Sequence, residues 1–253
     1  MIVHYTEKYL LNPVHRITVN LVGLGGTGSQ MLTCLARLNE TLKALGHPGL
    51  HLKAWDPDTV TSANLGRQLF SPADLNQSKA IVLTSRINRF MGLDWEAHPR
   101  EYNGGEPANI LITCIDTAAG RVALSEHVVE RKTVEVIKRP YYWLDLGNLQ
   151  KTGQAILGTV NNISQPKSDE HTTRATLPNV VKFFPRLRKI KEEQQGPSCS
   201  LAEAIRKQDL FINSALAQFG ATLLWKLFRE GMIRHHGFYL NLDTLQTNPI
   251  PIK

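Results

Sequence analysis

Apolar positions recur along the chain with two alternating periods, and together they outline an α/β protein. Ile17 to Val22 (ITVNLV) is a short β-branched run ending on a glycine cluster, the pattern of a buried parallel strand. From Ser29 to Leu45 the residues Met31, Leu32, Leu35, Leu38, Leu42 and Leu45 fall at helical spacing, and Gly46, His47, Pro48 and Gly49 stop the run. A second strand, Leu50 to Trp55, runs into Asp56. Strand, glycine loop, helix and strand in this order predict a βαβ unit with a parallel sheet and a right-handed crossover.

The pattern then repeats more loosely. Asn76 to Phe90 reads as a helix and Trp95 to Pro99 as a short strand. Asn109 to Ile115 (NILITCI) reads as a third buried strand ending at Asp116, with a helix from Ala118 to Arg131 after it. Tyr141 to Leu149 and Gly153 to Val160 read as two strands joined by a turn at Gln150, Lys151 and Thr152. Asn161 to Ser198 is polar, is interrupted by Pro166, Pro178, Pro185 and Pro197, and is basic from Lys182 to Lys191. It is expected to be a long crossover with one short helix, and loops of that length are commonly functional or disordered. Helices resume between Leu201 and Gly231, and Gly237 to Leu245 alternates as a final strand.

The fold class expected is therefore α/β: a Rossmann-like, mostly parallel sheet with helices on both faces and antiparallel strands in the C-terminal part. Residues 1–160 form the Rossmann-like part, 161–198 the crossover, and 199–253 the helices and final strand that complete the same domain.

Composition narrows the class without naming it. Of 253 residues 42% are hydrophobic, enough for a full core. The net charge of +7 favours an acidic partner or an anionic ligand but does not bear on fold. The longest apolar stretch, Leu210 to Phe228, contains Asn213, Ser214, Gln218 and Lys226, so it reads as a core or interface helix and not a membrane span. The first residues lack the pattern of a signal peptide, and a cytoplasmic protein is expected. Cys34, Cys114 and Cys199 include no CxxC pair, which supports neither a disulfide framework nor a structural zinc. Cys34 and Cys114 lie in apolar runs and read as buried packing residues.

Candidate chemistry starts at Gly23-Leu24-Gly25-Gly26-Thr27-Gly28, which fits GxGxxG between a strand and a helix. Glycines let the backbone turn tightly and approach a phosphate, while the helix N-terminus offers unpaired N–H groups. Asp56, at the end of the second strand, is placed either to accept hydrogen bonds from ribose hydroxyls or to cap the turn before Pro57. To this point NAD and ATP fit equally well.

The run after Asp56 separates them: Asp56, Asp58, Val60, Asn64, Arg67 and Gln68, then Lys79. With the glycine loop it resembles the ThiF family of the ubiquitin-activating-enzyme superfamily, whose pattern is GxGGxG, DxDxVxxxNxxRQ and a lysine. The match runs from Gly23 to about Arg121 with every polar position occupied. The resemblance implies that Gly23, Gly25, Gly26 and Gly28 cradle ATP, Asp56 holds the ribose, and Arg67 and Lys79 hold phosphates. Asn64 and Gln68 would position those phosphates, Asp58 would complete the binding motif, and Asp116 would coordinate Mg²⁺. Such residues belong together because acyl-adenylate formation needs charge neutralised while a carboxylate attacks the α-phosphate. Arg121 is open between steadying this site and lying on the surface. Relatives carry an arginine-rich N-terminal helix that reaches a partner's ATP; here Tyr5 to Leu10 departs from it, Lys8 and Arg16 align poorly, and the residue acting in trans stays open.

Cys199, in GPSCSL, stands where the crossover meets a helix, a place that favours a thiolate. It is open between a nucleophile that forms a thioester, as the resemblance implies, and an unreactive cysteine near a helix cap. The blocks YLLNPVHRITVNLVGLGGTGSQ, GRQLFSPADLNQSKA and PSCSLAEAIRKQDLFINSALAQFG look like the ThiF-family protein of PRTRC gene systems. Those clusters also encode a JAB-type peptidase and small β-grasp proteins. The substrate so implied is the C-terminus of a small ubiquitin-like protein, and the implied assembly is a homodimer. Adenylation of a small molecule or tRNA base, an inactive binding module of a plasmid-borne system, and a NAD-dependent oxidoreductase are the other readings. The basic run with Lys182, Arg186, Arg188, Lys189 and Lys191 fits either a solvated face or a contact to nucleic acid or an acidic partner.

Overall fold

Ahead of the glycine cluster the chain forms a short strand, β1 (Ile2–Tyr5), and one turn of helix, α1 (Lys8–Leu11). The computed structural model describes residues 1–66, 68–129, 135, 138–190 and 208–253. The expected βαβ unit follows as β2 (Ile17–Val22), α2 (Gly26–Ala44) and β3 (Leu50–Trp55). Next come α3 (Lys79–Met91), β4 (Glu96–His98), β5 (Ile110–Thr113) and α4 (Ala118–Val129). The hairpin expected around Gln150 is β6 (Tyr142–Asn148) and β7 (Thr152–Thr159). The rest comprises β8 (Thr172–Thr173), α5 (Val180–Phe183), α6 (Ile212–Glu230), β9 (Met232–Ile233), β10 (His235–Asn241) and β11 (Gln246–Pro251).

Eight strands join in the order β11-β10-β7-β6-β5-β2-β3-β4. The five from β6 to β4 are parallel, and β7, β10 and β11 continue antiparallel from β6. The central strands are covered on both faces, which is why their sequences are apolar without alternation. Ile17, Val19, Leu21, Ile110, Ile112, Leu144 and Leu146 pack on the side of α2, α3 and α6. Val22, Leu111, Trp143 and Ile156 pack on the other, with Leu124 of α4 and Val180 and Val181 of α5. The α/β class, with helices on both faces and antiparallel strands late in the chain, is what the periodicity predicts.

The structure departs from the sequence reading in several places. The last strand predicted, Gly237 to Leu245, ends at Asn241; Leu245 sits in a turn at φ 54° and β11 follows. Pro249 and Pro251 hide that strand, yet β11 is an edge, where a missing N–H costs no ladder bond. β1 was not anticipated: it pairs with β8 and β9 in a separate three-stranded sheet, contacts that four residues of local pattern cannot announce. The crossover holds α5 and also a 3-10 turn over Pro185–Lys189. Cys34 and Cys114 are only half-buried, and burial pushes both thiols up from their ordinary value. Among the described residues no helix is long and apolar enough to cross a membrane.

Two contacts make the framework testable. A Cβ on Gly220 of α6 would lie 2.7 Å from Leu146 Cδ2 and 3.2 Å from Met31 Cε, so this glycine lets α2 and α6 share the space over β6. Gly220→Val is expected to lower stability by about 1–3 kcal/mol through overpacking, read as a lower urea midpoint at unchanged m-value. His4 donates from Nδ1 to the Arg174 carbonyl at 2.6 Å and accepts at Nε2 from Tyr142 at 2.9 Å. Burial holds His4 and His236 below the ordinary histidine value of 6.5. Their neutral forms fit the fold, so stability is full above about pH 6.5 and falls as pH drops below it toward their folded-state values. The thermal midpoint should therefore decline from pH 7.5 to 5.5, and less steeply in His4→Gln; a flat profile contradicts this.

Candidate functional site

β2 has β3 on one side and β5 on the other, so the chain reverses its direction of sheet growth there. In open α/β sheets a crevice forms at the carboxyl ends of strands at such a reversal. The loop leaving β2 into this crevice is the glycine loop.

Its glycines are not equivalent. Gly23 has φ +85° and a Cβ there would meet the Cys114 carbonyl oxygen at 2.8 Å. A Cβ on Gly28 would lie 1.7 Å from the Gly23 carbonyl oxygen, so only glycine lets α2 start this close to β2. A Cβ on Gly26 would come within 2.5 Å of the Asn213 amide. Gly25 is different: its φ is −71°, and the nearest atom to a Cβ would be Gln68 Nε2 at 3.9 Å. Gly25 caps α2 without any side-chain hydrogen bond. No protein atom crowds a Cβ at that point, and glycine there leaves the helix N-terminus open to an approaching anion.

Asp56, 4% exposed, tethers this loop. Its Oδ2 accepts from the Leu24 N–H at 2.5 Å and its Oδ1 from the Asp58 N–H at 2.9 Å. Burial raises its pKa, opposed chiefly by the Leu24 hydrogen bond and by the charge of Lys79. The carboxylate predicted to meet a ribose thus also serves the protein's own backbone.

Lys79 is the first residue of α3, where a cation opposes the helix dipole, so helix stability does not ask for it. Its ammonium pairs with Asp58 at 2.8 Å, the lysine side chain 9% exposed and the aspartate 64%. Thr59 bridges to Ser78, which holds these two segments together. Asn64 is buried and caps its own turn, its Oδ1 accepting from the Thr61 N–H at 2.8 Å. The Gln68 N–H donates to the Asn64 carbonyl at 3.0 Å. Gln68 is buried with its Oε1 lacking a hydrogen-bond partner among the described residues. An orphan acceptor of this kind costs about 1–3 kcal/mol until a donor arrives.

Asp116 follows β5 on the same edge and is exposed. The Cys114 N–H donates to the Val22 carbonyl at 2.8 Å, so the loop carrying Asp116 packs beside the glycine loop. Arg121, left open between two roles above, is 7% exposed and not a surface residue. Its Nε pairs with both oxygens of Asp145 at 2.9 and 3.0 Å. Contacts therefore link the glycine loop to Asp56 through Leu24, Asp56 to Asp58, Asp58 to Lys79 and Asn64 to Gln68, whose amide lies toward Gly25. The loop carrying Asp116 is held to the end of β2 through Cys114. Arg67 and Cys199 lie outside the described residues.

Elsewhere the expected residues do not converge. Arg16 forms an ion pair with Asp94 at the amino end of β2, the opposite end from the glycine loop, and Lys8 is exposed on α1. Lys182, Arg186 and Lys189 are exposed and Arg188 pairs with Glu126 at 2.9 Å, while Lys191 lies outside the described residues. Among the described residues no group of three or more His, Cys, Asp or Glu is arranged to hold a metal.

Two residues at the crevice escaped the sequence reading. Asn213 accepts from Thr27 Oγ1 at 2.9 Å and fills the space that Gly26 leaves. Asp145 is fully buried and pairs with Arg121. Each is a polar residue inside an apolar run, and that was the available signal.

The ThiF family profile matches residues 6–250. No protein of curated function matches the chain. Among solved structures, E. coli MccB with ATP superposes at a TM-score of 0.58 and 13% identity, covering 96% of this chain and 64% of that one. E. coli MccB with MccA-N7isoASN gives 0.58 and 14%, with 96% and 65% covered. PaaA gives 0.58 and 13%, with 93% and 64% covered. At these identities the likeness is one of fold, and the chain spans about 64–65% of the length of these proteins.

The glycines separate a steric role from a ligand role. Gly28→Ala is expected to cost more than about 3 kcal/mol or prevent folding, since backbone must move. Gly25→Ala is expected to fold and to lose only about 1 kcal/mol, the cost of a poorer N-cap, read as a fall of about 2–4 °C in thermal midpoint. Equal loss of stability in both would contradict the distinction.

Proposed function

The chain belongs to the ThiF family, and from that premise we propose that it binds ATP in this crevice and adenylates the C-terminal carboxylate of a small ubiquitin-like, β-grasp protein. The observation that carries the reading is Gly25, a helix-capping glycine at which a Cβ would meet no protein atom closer than 3.9 Å, together with the buried Lys79 paired to Asp58.

In the proposed step a carboxylate oxygen of the substrate attacks the α-phosphorus. An O–P bond forms, the bond between α-phosphorus and its bridging oxygen breaks, and pyrophosphate leaves; no proton is exchanged. Lys79 and Arg67 neutralise phosphate charge. Asn64 and Gln68 place the phosphates, and Asp56, with lone pairs left on a carboxylate fixed to Leu24 and Asp58, meets the ribose. Asp58 holds the Lys79 ammonium until phosphate competes for it.

The donor set fits Mg²⁺. Asp116, an exposed carboxylate on the loop that follows β5, would be its protein ligand, and Mg²⁺ at phosphate sites takes few protein carboxylates. Bound there, Mg²⁺ would screen phosphate charge as it shifts toward pyrophosphate. In the same reading Cys199 takes the acyl group from AMP: its thiolate attacks the acyl carbon and AMP departs. A homodimer, and a gene system of the PRTRC type with a JAB-type peptidase, complete the proposal.

The test is ATP–pyrophosphate exchange with labelled pyrophosphate, Mg²⁺ and a candidate β-grasp protein. Exchange is expected in the wild type and should fall about 100-fold or more in Lys79→Ala and Asp116→Asn, the scale of losing one charge-stabilising group. Gly25→Ala should weaken ATP binding with its fold intact. Cys199→Ala should retain exchange and lose the reductant-sensitive conjugate. Absence of exchange with every β-grasp candidate, or a bound dinucleotide in place of ATP, contradicts the reading.

A further inference from the structure

Asp145 is a carboxyl group in the middle of the apolar strand β6, with no exposed surface. Both its oxygens face the Nε of Arg121, and its Oδ1 also accepts from Thr113 Oγ1 at 2.6 Å. Thr113 Oγ1 in turn accepts from the Trp143 indole N–H at 2.8 Å. Burying such a pair is often no better for stability than well-packed apolar side chains would be. Stability alone therefore does not explain it.

The rest of the guanidinium points to what does. Arg121 Nη2 donates to the Ile115 carbonyl at 2.6 Å and Nη1 to the Thr117 carbonyl at 3.2 Å. Those carbonyls flank Asp116 on either side. Nη2 also reaches the Leu146 carbonyl at 3.4 Å, and Gly147 leaves the room, since a Cβ there would lie 3.0 Å from Nη2. All three nitrogens of Arg121 thus have protein acceptors, which leaves Arg121 a poor candidate for binding phosphate itself. Its fork is planar and its nitrogens are fixed relative to one another, so holding one end sets the other. Asp145 holds one end and the peptides around Asp116 lie at the other.

We propose that Asp145 is a positioning residue for Asp116: acting through Arg121, it fixes the Ile115 and Thr117 carbonyls, and with them the loop that aims the Asp116 carboxylate at a nucleotide-bound divalent cation. This rests on the adenylation reading above, in which Asp116 meets that cation. Asp145 touches neither nucleotide nor substrate; its effect reaches the crevice only through loop geometry. The consequence is selective. Disturbing the pair should weaken the cation site while leaving metal-independent nucleotide contacts at Gly25, Asp56 and Lys79 intact.

The experiment uses the full chain and Mn²⁺ in place of Mg²⁺, with the non-hydrolysable analogue AMPCPP. Free Mn²⁺ is followed by electron paramagnetic resonance, nucleotide affinity in EDTA by calorimetry, and folding by thermal melting. Wild type is expected to bind both ligands. Asp145→Asn and Arg121→Lys should bind Mn²⁺ in the ternary complex at least about 10-fold more weakly, the scale seen when outer-shell partners of metal ligands are lost. Their metal-free affinity for AMPCPP should stay within about 2-fold of wild type. If Asp145→Asn does not fold, Thr113→Val, which removes the hydroxyl bonded to Asp145, takes its place with the same expectation. Folded variants with unchanged Mn²⁺ affinity overturn the proposal, as does equal weakening with and without metal. A wild type that binds no AMPCPP overturns the underlying adenylation reading as well, and that outcome is recognised by the wild-type arm alone.

Discussion

The crevice depends on one steric constraint, the approach of Gly28 to the Gly23 carbonyl. With a side chain at 28 the first turn of α2 could not lie against the end of β2, because the new carbon would sit 1.7 Å from that oxygen. Gly23 repeats the theme toward β5, where the Cys114 carbonyl leaves no room for a Cβ. These two contacts bring three chain segments together: the helix N-terminus, the loop carrying Asp116 and, through Leu24, the Asp56 carboxylate. A helix start offers unpaired N–H groups and a positive dipole end. Sheet and helix thus leave a helix N-terminus open beside side chains that come largely from one stretch, Asp56 to Lys79.

The fold was legible where the pattern was local. The strands Ile17–Val22 and Leu50–Trp55 and the helix between them follow from unbroken apolar runs, periodicity and glycine punctuation. β1 and β11 were not legible, because each is defined by its partner. β1 lies between strands some 170 and 230 residues along the chain, and β11 exists despite two prolines because it is an edge.

The candidate site shows the same division. Gly23 to Gly28, Asp56, Asp58, Asn64, Gln68, Lys79 and Asp116 could be named because their spacing is a pattern, and contacts tie the glycine loop to Asp56, Asp56 to Asp58 and Asp58 to Lys79. Asn213 and Asp145 could not, because their partners are remote: Thr27 lies 186 residues from Asn213 and Arg121 lies 24 residues from Asp145. Their polar character inside apolar runs marked them as unusual without saying what they meet. Arg121 was visible as a residue but not as a clamp, since nothing local shows that its fork is committed to Asp145 and to the carbonyls beside Asp116.

A helix start with no side-chain cap at Gly25, and a buried lysine at the start of α3 that the helix does not need, carry the ATP reading. The most direct measurement is a crystal structure of the chain with ATP and Mg²⁺. The account predicts the triphosphate passing over Gly25, the ribose at Asp56, the Lys79 ammonium moved from Asp58 to phosphate, and Asp116 reaching the cation. Nucleotide bound elsewhere, or a crevice with Lys79 still on Asp58 at saturating ATP, would contradict it.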